Sequence, residues 1–422
     1  MCEQSNALVT KVGGNKNLII VMSNPARGRT PEDIRPALKI RPVNPTSFTI
    51  TRCLMLLRSV KKAFRSTAAL LSAIAVIGQS ASSQSKDTAA AAAPAPPAVA
   101  ITGFVDTYFS YNFDRPASHV NELRNFDVTD EQFTVALAEV QIQRAASPVG
   151  FTVDLDFGQA NDIAQSGEPG SLANVRQAYV TVVVPVGSGL TVDMGKFVTH
   201  CCFETIPAKD NFNYSRSLLF AWSVPYYHLG ARAAYSLSST ITLNGYLYDG
   251  WNGIPVNSGK TLGFEGVYAP TSALSFTLNW LGGPALPDSV TNRYRNVYEV
   301  IANYAATDRL TLALNWVYGE DHPPAMTAVW RGIAGYVKYA LNDFSAFAVR
   351  CEQFDDPEGF MTGAIQTLNE GTLTYEYKPF ATIILRGEYR YDWSTVPAFD
   401  GSGGKFTRRN QSTLAMGAIV TF

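Results

Sequence analysis

From about residue 98 to the C-terminus the sequence alternates with a period of two, and no other feature restricts the possible folds as much. In FTVDLDFG, Phe151, Val153, Leu155 and Phe157 fall on one face, with Thr152, Asp154 and Asp156 on the other. IILRGEYRYD sets Ile383, Leu385, Tyr389 and Tyr391 against Arg386, Glu388, Arg390 and Asp392. LTLALNWVY and GTLTYEYK repeat the pattern. Successive side chains leave a strand in opposite directions, so period two marks strands with unlike faces. A soluble sandwich or propeller would hide the apolar faces and would need a very large core to do so. The charged faces here are dense enough to need water. Their opposites carry aliphatic residues, with Tyr, Trp and Phe toward the strand ends, as lipid and its interfaces require. The faces read apolar outward and polar inward.

About sixteen such segments can be counted: 99–113, 131–144, 149–157, 174–185, 188–198, 226–237, 239–249, 260–269, 273–281, 295–306, 308–319, 329–340, 343–354, 368–378, 382–392 and 411–422. Every second connection is short (SPVG, PVGS, LSS, PTS, ATD, LND, PFA), and the others are long. Short periplasmic turns alternating with long outer loops are the habit of outer-membrane barrels. Hydrocarbon cannot hydrogen-bond an open sheet edge, so the strands must close on themselves. The expected fold is all-β: a transmembrane antiparallel up-and-down β-barrel of about 16 strands with a polar lumen.

The first hundred residues read differently. From Met55 a basic stretch (Arg58, Lys61, Lys62, Arg65) leads into an apolar run, Ala68 to Ile77, and then small residues suited to cleavage. That order is a secretory signal. The run is about ten residues, where a spanning helix needs roughly 20. Residues 1–54 are read as a segment upstream of the true start, 55–85 as the signal, 86–97 as an Ala/Pro linker and 98–422 as the barrel. The expected location is the bacterial outer membrane.

Net charge is −1 and charged residues make up 16% of the chain, so no nucleic-acid partner is expected. Beyond the signal the only cysteines are Cys201, Cys202 and Cys351, an odd number without CxxC spacing. With His200 and Glu204, the adjacent pair invites a metal site. Neighbouring cysteines rarely close on one tetrahedral ion, and a bridge between them is strained. Inert loop cysteines are the favoured alternative, a bridge in an oxidising compartment the next. Cys351 is expected on a lipid face. The mature histidines, His119, His200, His228 and His322, fall in loops or at strand ends, and no spacing assembles a nucleophile with a base. No enzyme, metal or cofactor is expected.

GFVDTYFSYNF, GKFVTH with Glu204, NYSRSLLF, HLGARAAY, YDGWN, RCEQFDD, EGTLTYEYKP and LRGEYRYD occur in an order that resembles the OmpL-like outer-membrane β-barrel porin family. The resemblance runs from about residue 98 to the end. It implies a water-filled channel for passive diffusion of small hydrophilic solutes, without a catalytic site. The chain departs from the family where Cys201 and Cys202 stand in place of an aromatic or small residue followed by Gly. STLAMGAIVTF, ending on Phe422, resembles the signal read by the outer-membrane assembly machinery. A homo-oligomer in outer-membrane lipid is compatible with such a barrel.

A barrel of about 16 strands is wide enough for an aqueous lumen. Candidate lumen charges are Asp106, Asp154, Asp156, Arg176, Glu265, Glu299, Arg350, Glu352, Glu376, Lys378, Arg386, Glu388, Arg390 and Asp392. Selectivity would come from those at the narrowest section, and the alternative is a wall of charges paired across strands. The longest loop, within 195–225, carries Phe212, Tyr214, Leu218, Leu219, Phe220 and Trp222, too apolar for a solvated tail. By resemblance to general diffusion porins it enters the lumen, with Lys209, Asp210, Phe212, Tyr214 and Arg216 as candidate constriction residues. A substrate-selective channel and a structural or adhesion barrel with a plugged lumen remain the alternatives.

Overall fold

The computed structural model describes residues 97–252, 257–286, 288, 294–323 and 326–422. The upstream segment, the signal and nearly all of the linker lie outside them. The strands are β1 (Val99–Asn112), β2 (Phe133–Arg144), β3 (Val149–Phe157), β4 (Val175–Val184), β5 (Leu190–Val198), β6 (Tyr227–Ser236), β7 (Ile241–Tyr248), β8 (Thr261–Thr271) and β9 (Leu274–Pro284). They continue as β10 (Tyr294–Thr307), β11 (Leu310–Asp321), β12 (Ala328–Asn342), β13 (Ser345–Asp356), β14 (Gln366–Phe380), β15 (Ile383–Ser394), β16 (Phe399–Gly401), β17 (Gly404–Arg408) and β18 (Asn410–Thr421). All but β16 and β17 close one antiparallel barrel, each strand beside its neighbour in sequence, with β18 returning to β1. The sixteen barrel strands match the sixteen expected segments to within three residues at each end.

Closure is direct. Phe104 pairs with Thr421 and Asn112 with Thr413. Gly103 and Phe422 exchange both backbone hydrogen bonds, at 3.0 and 3.1 Å, so the last residue fastens the seam. The inner and outer faces are inverted relative to a soluble protein. On β3, Thr152, Asp154 and Asp156 are buried while Val149 and Phe157 are exposed. On β15, Arg386, Glu388, Arg390 and Asp392 are buried and Leu385 and Tyr389 exposed. Exposed aromatic rings gather at both ends of the wall: Tyr268, Tyr304, Phe344, Tyr377 and Phe380 toward the short turns, Phe113, Phe133, Tyr294 and Tyr298 toward the long loops. Amphipathic rings settle at the two water–lipid boundaries for this reason.

The short turns follow local chemistry. Thr271, Thr307 and Asn342 each accept, through the side chain, the backbone N–H two residues on, at 3.1–3.3 Å. The long loops hold elements the period of two does not announce: helix α1 (Gln159–Ala164), helix α2 (Leu218–Trp222) and the β16–β17 hairpin in the last outer loop.

Candidate pore constriction

The third outer loop, 199–226, leaves β5 and turns into the barrel. Outside it would meet only water, whereas its Ile206, Tyr214, Leu218, Leu219, Phe220 and Trp222 are all buried in the structure. Burying such side chains is worth about 1.5–3 kcal/mol each. The entropy of ordering the loop offsets part of that. Ser217 caps α2, accepting from Phe220 N at 3.0 Å. The wall makes room with glycines: a methyl group on Gly417 would come within 2.5 Å of the Tyr214 ring, and one on Gly332 within 2.7 Å of Leu219.

Charges on the wall hold the loop by its backbone. Cys202 N donates to Glu299 at 2.8 Å on β10. Tyr214 N and Ser215 N donate to Glu388 on β15 at 2.6 and 2.9 Å. Leu218 N and Leu219 N donate to Glu352 on β13 at 2.6 and 3.2 Å. From the same wall Arg386 donates to the carbonyls of Ala208, Asn211 and Asn213, Arg350 to that of Ser215 and Arg390 to that of Arg216, at 2.6–3.0 Å. Tyr214 Oη donates to Asp106 on β1 at 2.9 Å. Charge-assisted bonds of this kind are roughly twice as strong as neutral ones.

The first outer loop, 113–132, locks onto the third. Trp222 Nε1 donates to the Leu123 carbonyl at 3.1 Å, and Asn125 Nδ2 to that of Ala221 at 3.1 Å. Arg124 bridges Asp127 and Asp392 at 2.8 and 2.7 Å. Phe126 packs against Phe220 and Tyr226.

All the candidate lumen charges in or beside this seat point inward, but most meet protein rather than water. Arg350 pairs with Glu204 and Glu370 at 2.7 and 2.9 Å and lies 3.8 Å from Glu352. Arg390 pairs with Asp392 at 2.8 Å and Glu370 at 3.1 Å, and Arg386 with Glu376 at 2.6 Å. On the opposite wall Arg176 pairs with Asp154 and Asp156, both at 2.9 Å, and with Glu139. Glu265 takes the Asn244 amide. Lys378 reaches Glu376 at 3.4 Å. Glu139, Glu370 and the whole Arg124 contact were not among the sequence candidates, and Glu204 was considered there only beside the cysteines and not as a lumen charge. Glu139 was legible from the alternation of AEVQIQR; Arg124, in a loop without period, carried no signal.

Between the third loop and the β1–β4 wall lies a cavity of about 400 Å³. Thr102, Gln141, Gln177, Thr205, Lys209 and Asp210 are among its lining residues. Lys209 and Asp210, partly exposed, pair at 2.9 Å, and the ammonium sits 5.3 Å over the Phe104 ring. Of the other candidate constriction residues, Phe212 packs edge-on to Phe203 and Tyr336. Tyr214 is buried. Arg216 turns away from open space, donating to the Tyr214 carbonyl at 2.6 Å and to that of Ile206 and lying 5.1 Å over Phe126.

His200, at the loop entrance, stacks on Tyr246 at 4.2 Å and lies 3.0 Å from Tyr248 Oη and 3.2 Å from the Trp280 carbonyl. Burial lowers its pKa to about 4, so it is neutral. Cys201 and Cys202 are both free thiols. Cys351 lies on the outward face of β13 with Phe347 and Val349.

The family model described as beta-barrel porin-2, OmpL-like matches residues 98–422. No curated protein sequence matches the chain. Among solved structures the barrel is similar to the anion-selective porin from Comamonas acidovorans, at 10% identity and TM-score 0.54, covering 77% of this chain and 99% of that one. It is similar to the outer-membrane channel DcaP of Acinetobacter baumannii at 13% identity and TM-score 0.52, over 78% and 100%. The trimer form of in-vitro folded OmpT, an outer-membrane protein of Vibrio cholerae, aligns at 13% identity and TM-score 0.51, over 78% and 100%. At these identities the likeness is one of fold, and the family match carries the rest: the chain belongs to the beta-barrel porin-2, OmpL-like family and is an outer-membrane porin.

Proposed function

We propose that small hydrophilic solutes cross this porin by passive diffusion beside its third loop, between Lys209–Asp210 and the β1–β4 wall. The cavity of about 400 Å³ at that place is the observation that carries the reading. Its charges are paired, Glu139 with Arg176 and Lys209 with Asp210. Paired charges project little field into a pore, so weak ion selectivity is expected. The Comamonas porin is described as anion-selective; this lining, with Glu139, Glu204 and Asp210 against Arg176 and Lys209, does not favour anions. The solutes cross unchanged, and the barrel assembles through the β18 strand ending on Phe422. By analogy with OmpT the assembly is a trimer, to be checked by light scattering of the folded protein.

One observation favours a second reading, a barrel closed at rest: the first and third loops are bonded to each other by Trp222 and Asn125, and Arg124 ties the first loop to Asp392 on the β15 wall. Planar-bilayer recording separates the two. Stable open steps, enlarged when residues 205–217 are replaced by a short Gly/Ser linker, support the diffusion path. No steps at any voltage, before or after the replacement, would sink it.

A further inference from the structure

The adjacent cysteines of the third loop both lie on the cavity just described. Cys202 has φ +94°, a conformation L residues rarely adopt, so the chain is not extended there. The backbone turns at this residue, and the two side chains do not alternate as they would along a strand. Cys201 Sγ lies 3.6 Å from His200 Nε2, and Cys202 Sγ accepts from Asn315 Nδ2 at 3.5 Å. Behind them Glu299 is tied down by the Cys202 amide, Asn279 and Asn315, so the segment is fixed rather than mobile.

We propose that Cys201 and Cys202 form a dithiol site, opening on the solute path, for trivalent arsenic compounds. Arsenous acid, As(OH)3, is a small neutral triol, the kind of solute a passive channel of this type admits; in this respect the proposal rests on the diffusion reading. Its capture is a condensation. Each thiol gives its proton to an As–OH oxygen, two As–S bonds form as two As–O bonds break, two water molecules leave, and arsenic stays trivalent. An aryl arsenic(III) oxide reacts likewise with loss of one water. No oxidant or reductant is needed. Burial, with the neighbouring Glu299 carboxylate, pushes both thiol pKa values well above the usual range. Neutral thiols are poor partners for disulfide exchange, which runs through the thiolate, so the pair persists as thiols in an oxidising compartment. Condensation with arsenic(III) starts from the neutral thiol.

The test uses the full folded chain with phenylarsine oxide as probe, read by intact mass and by conductance. One arsenical per chain is expected, released by a dithiol and not by an equal concentration of a monothiol, with a smaller single-channel step while it is bound. C201S/C202S keeps every other cysteine and should conduct normally without gaining the mass. Either single variant should hold the probe at least ~10²-fold more weakly, since the second attachment is intramolecular. Folded protein that gains no arsenical, although both thiols react with a maleimide once unfolded, overturns the proposal. So does a single variant that binds as firmly as the parent. A channel that never conducts but still gains the mass keeps the dithiol site and removes the diffusion reading.

Discussion

Glu388 is the sharpest place to perturb the loop's seat. Its carboxylate accepts from Tyr214 N at 2.6 Å, Ser215 N at 2.9 Å and Thr374 Oγ1 at 2.7 Å. Among the described residues it has no ion-pair partner, so Glu388→Ala removes no arginine's counter-charge, whereas removal of Glu370 would take one from both Arg350 and Arg390. A hydrogen bond to a charged group contributes about 1.5–3 kcal/mol. Loss of the two backbone bonds should therefore loosen the Tyr214–Ser215 segment by about 3–6 kcal/mol. Water entering the vacated space supplies some replacement bonds, so the lower end, about 3 kcal/mol, is the figure to test. That is roughly a hundredfold in the opening equilibrium of the segment.

Hydrogen exchange reads this directly, because the exchange of protected amides follows their local opening. The Tyr214 and Ser215 amides should exchange about a hundredfold faster in Glu388→Ala, while amides of β5–β9 keep their rates. Glu388→Gln retains one acceptor oxygen and should fall between. In a bilayer the same variant should show flickering between conductance levels. Unchanged exchange at 213–216 together with unchanged conductance would refute the claim that wall carboxylates hold the loop by its backbone.

Arg350→Met leaves Glu204, Glu352 and Glu370 buried without their shared cation. Breaking a buried pair costs about 3–5 kcal/mol, so the midpoint of urea unfolding should fall clearly below that of Arg331→Met, which removes only an exposed pair with Asp355. On the outer side, burial, with the nearby Asp400 carboxylate adding to it, raises Glu122 from 4.5 to about 7. A raised carboxyl favours the folded state when protonated, so this contribution is present in full below about 4.5 and is lost as pH rises through about 7. Protease cleavage within the first and last outer loops should therefore be faster at pH 8 than at pH 5, and Glu122→Gln should flatten that difference. Equal cleavage at both pH values in the parent would remove the claim.

The barrel was legible because its strands answer to two solvents at once. Asp154 between Val153 and Leu155, or Arg390 between Tyr389 and Tyr391, admits one arrangement when one side is hydrocarbon. The PTS, ATD and LND turns then fix which ends are periplasmic. The seat of the loop was only half legible. The alternation puts Arg350, Arg386 and Glu388 inside, but it says nothing of what they meet there. Their partners are the backbone N–H and C=O groups of residues 208–219, which every sequence carries and no side-chain pattern marks. Arg124 escaped for a related reason, its contact with Asp392 lying far away in the sequence, whereas the β16–β17 hairpin is local but its strands, Phe399–Gly401 and Gly404–Arg408, are too short for the alternation to mark.

A lumen lined with charge has two uses, and local geometry decides between them. Where a carboxylate or guanidinium faces open water, its field acts on passing solutes. Where it finds a backbone dipole within 3 Å, the low dielectric makes that contact too favourable to give up, and the charge becomes a structural bond. Arg386, bonded to Ala208, Asn211, Asn213 and Glu376, has no capacity left to act on a solute. Lys209 and Asp210, partly exposed at the cavity, do. As a pair they project little field, but Asp210→Lys would leave two cations at the cavity and should shift ion preference toward anions, where a change of charge at 386 or 388 changes folding.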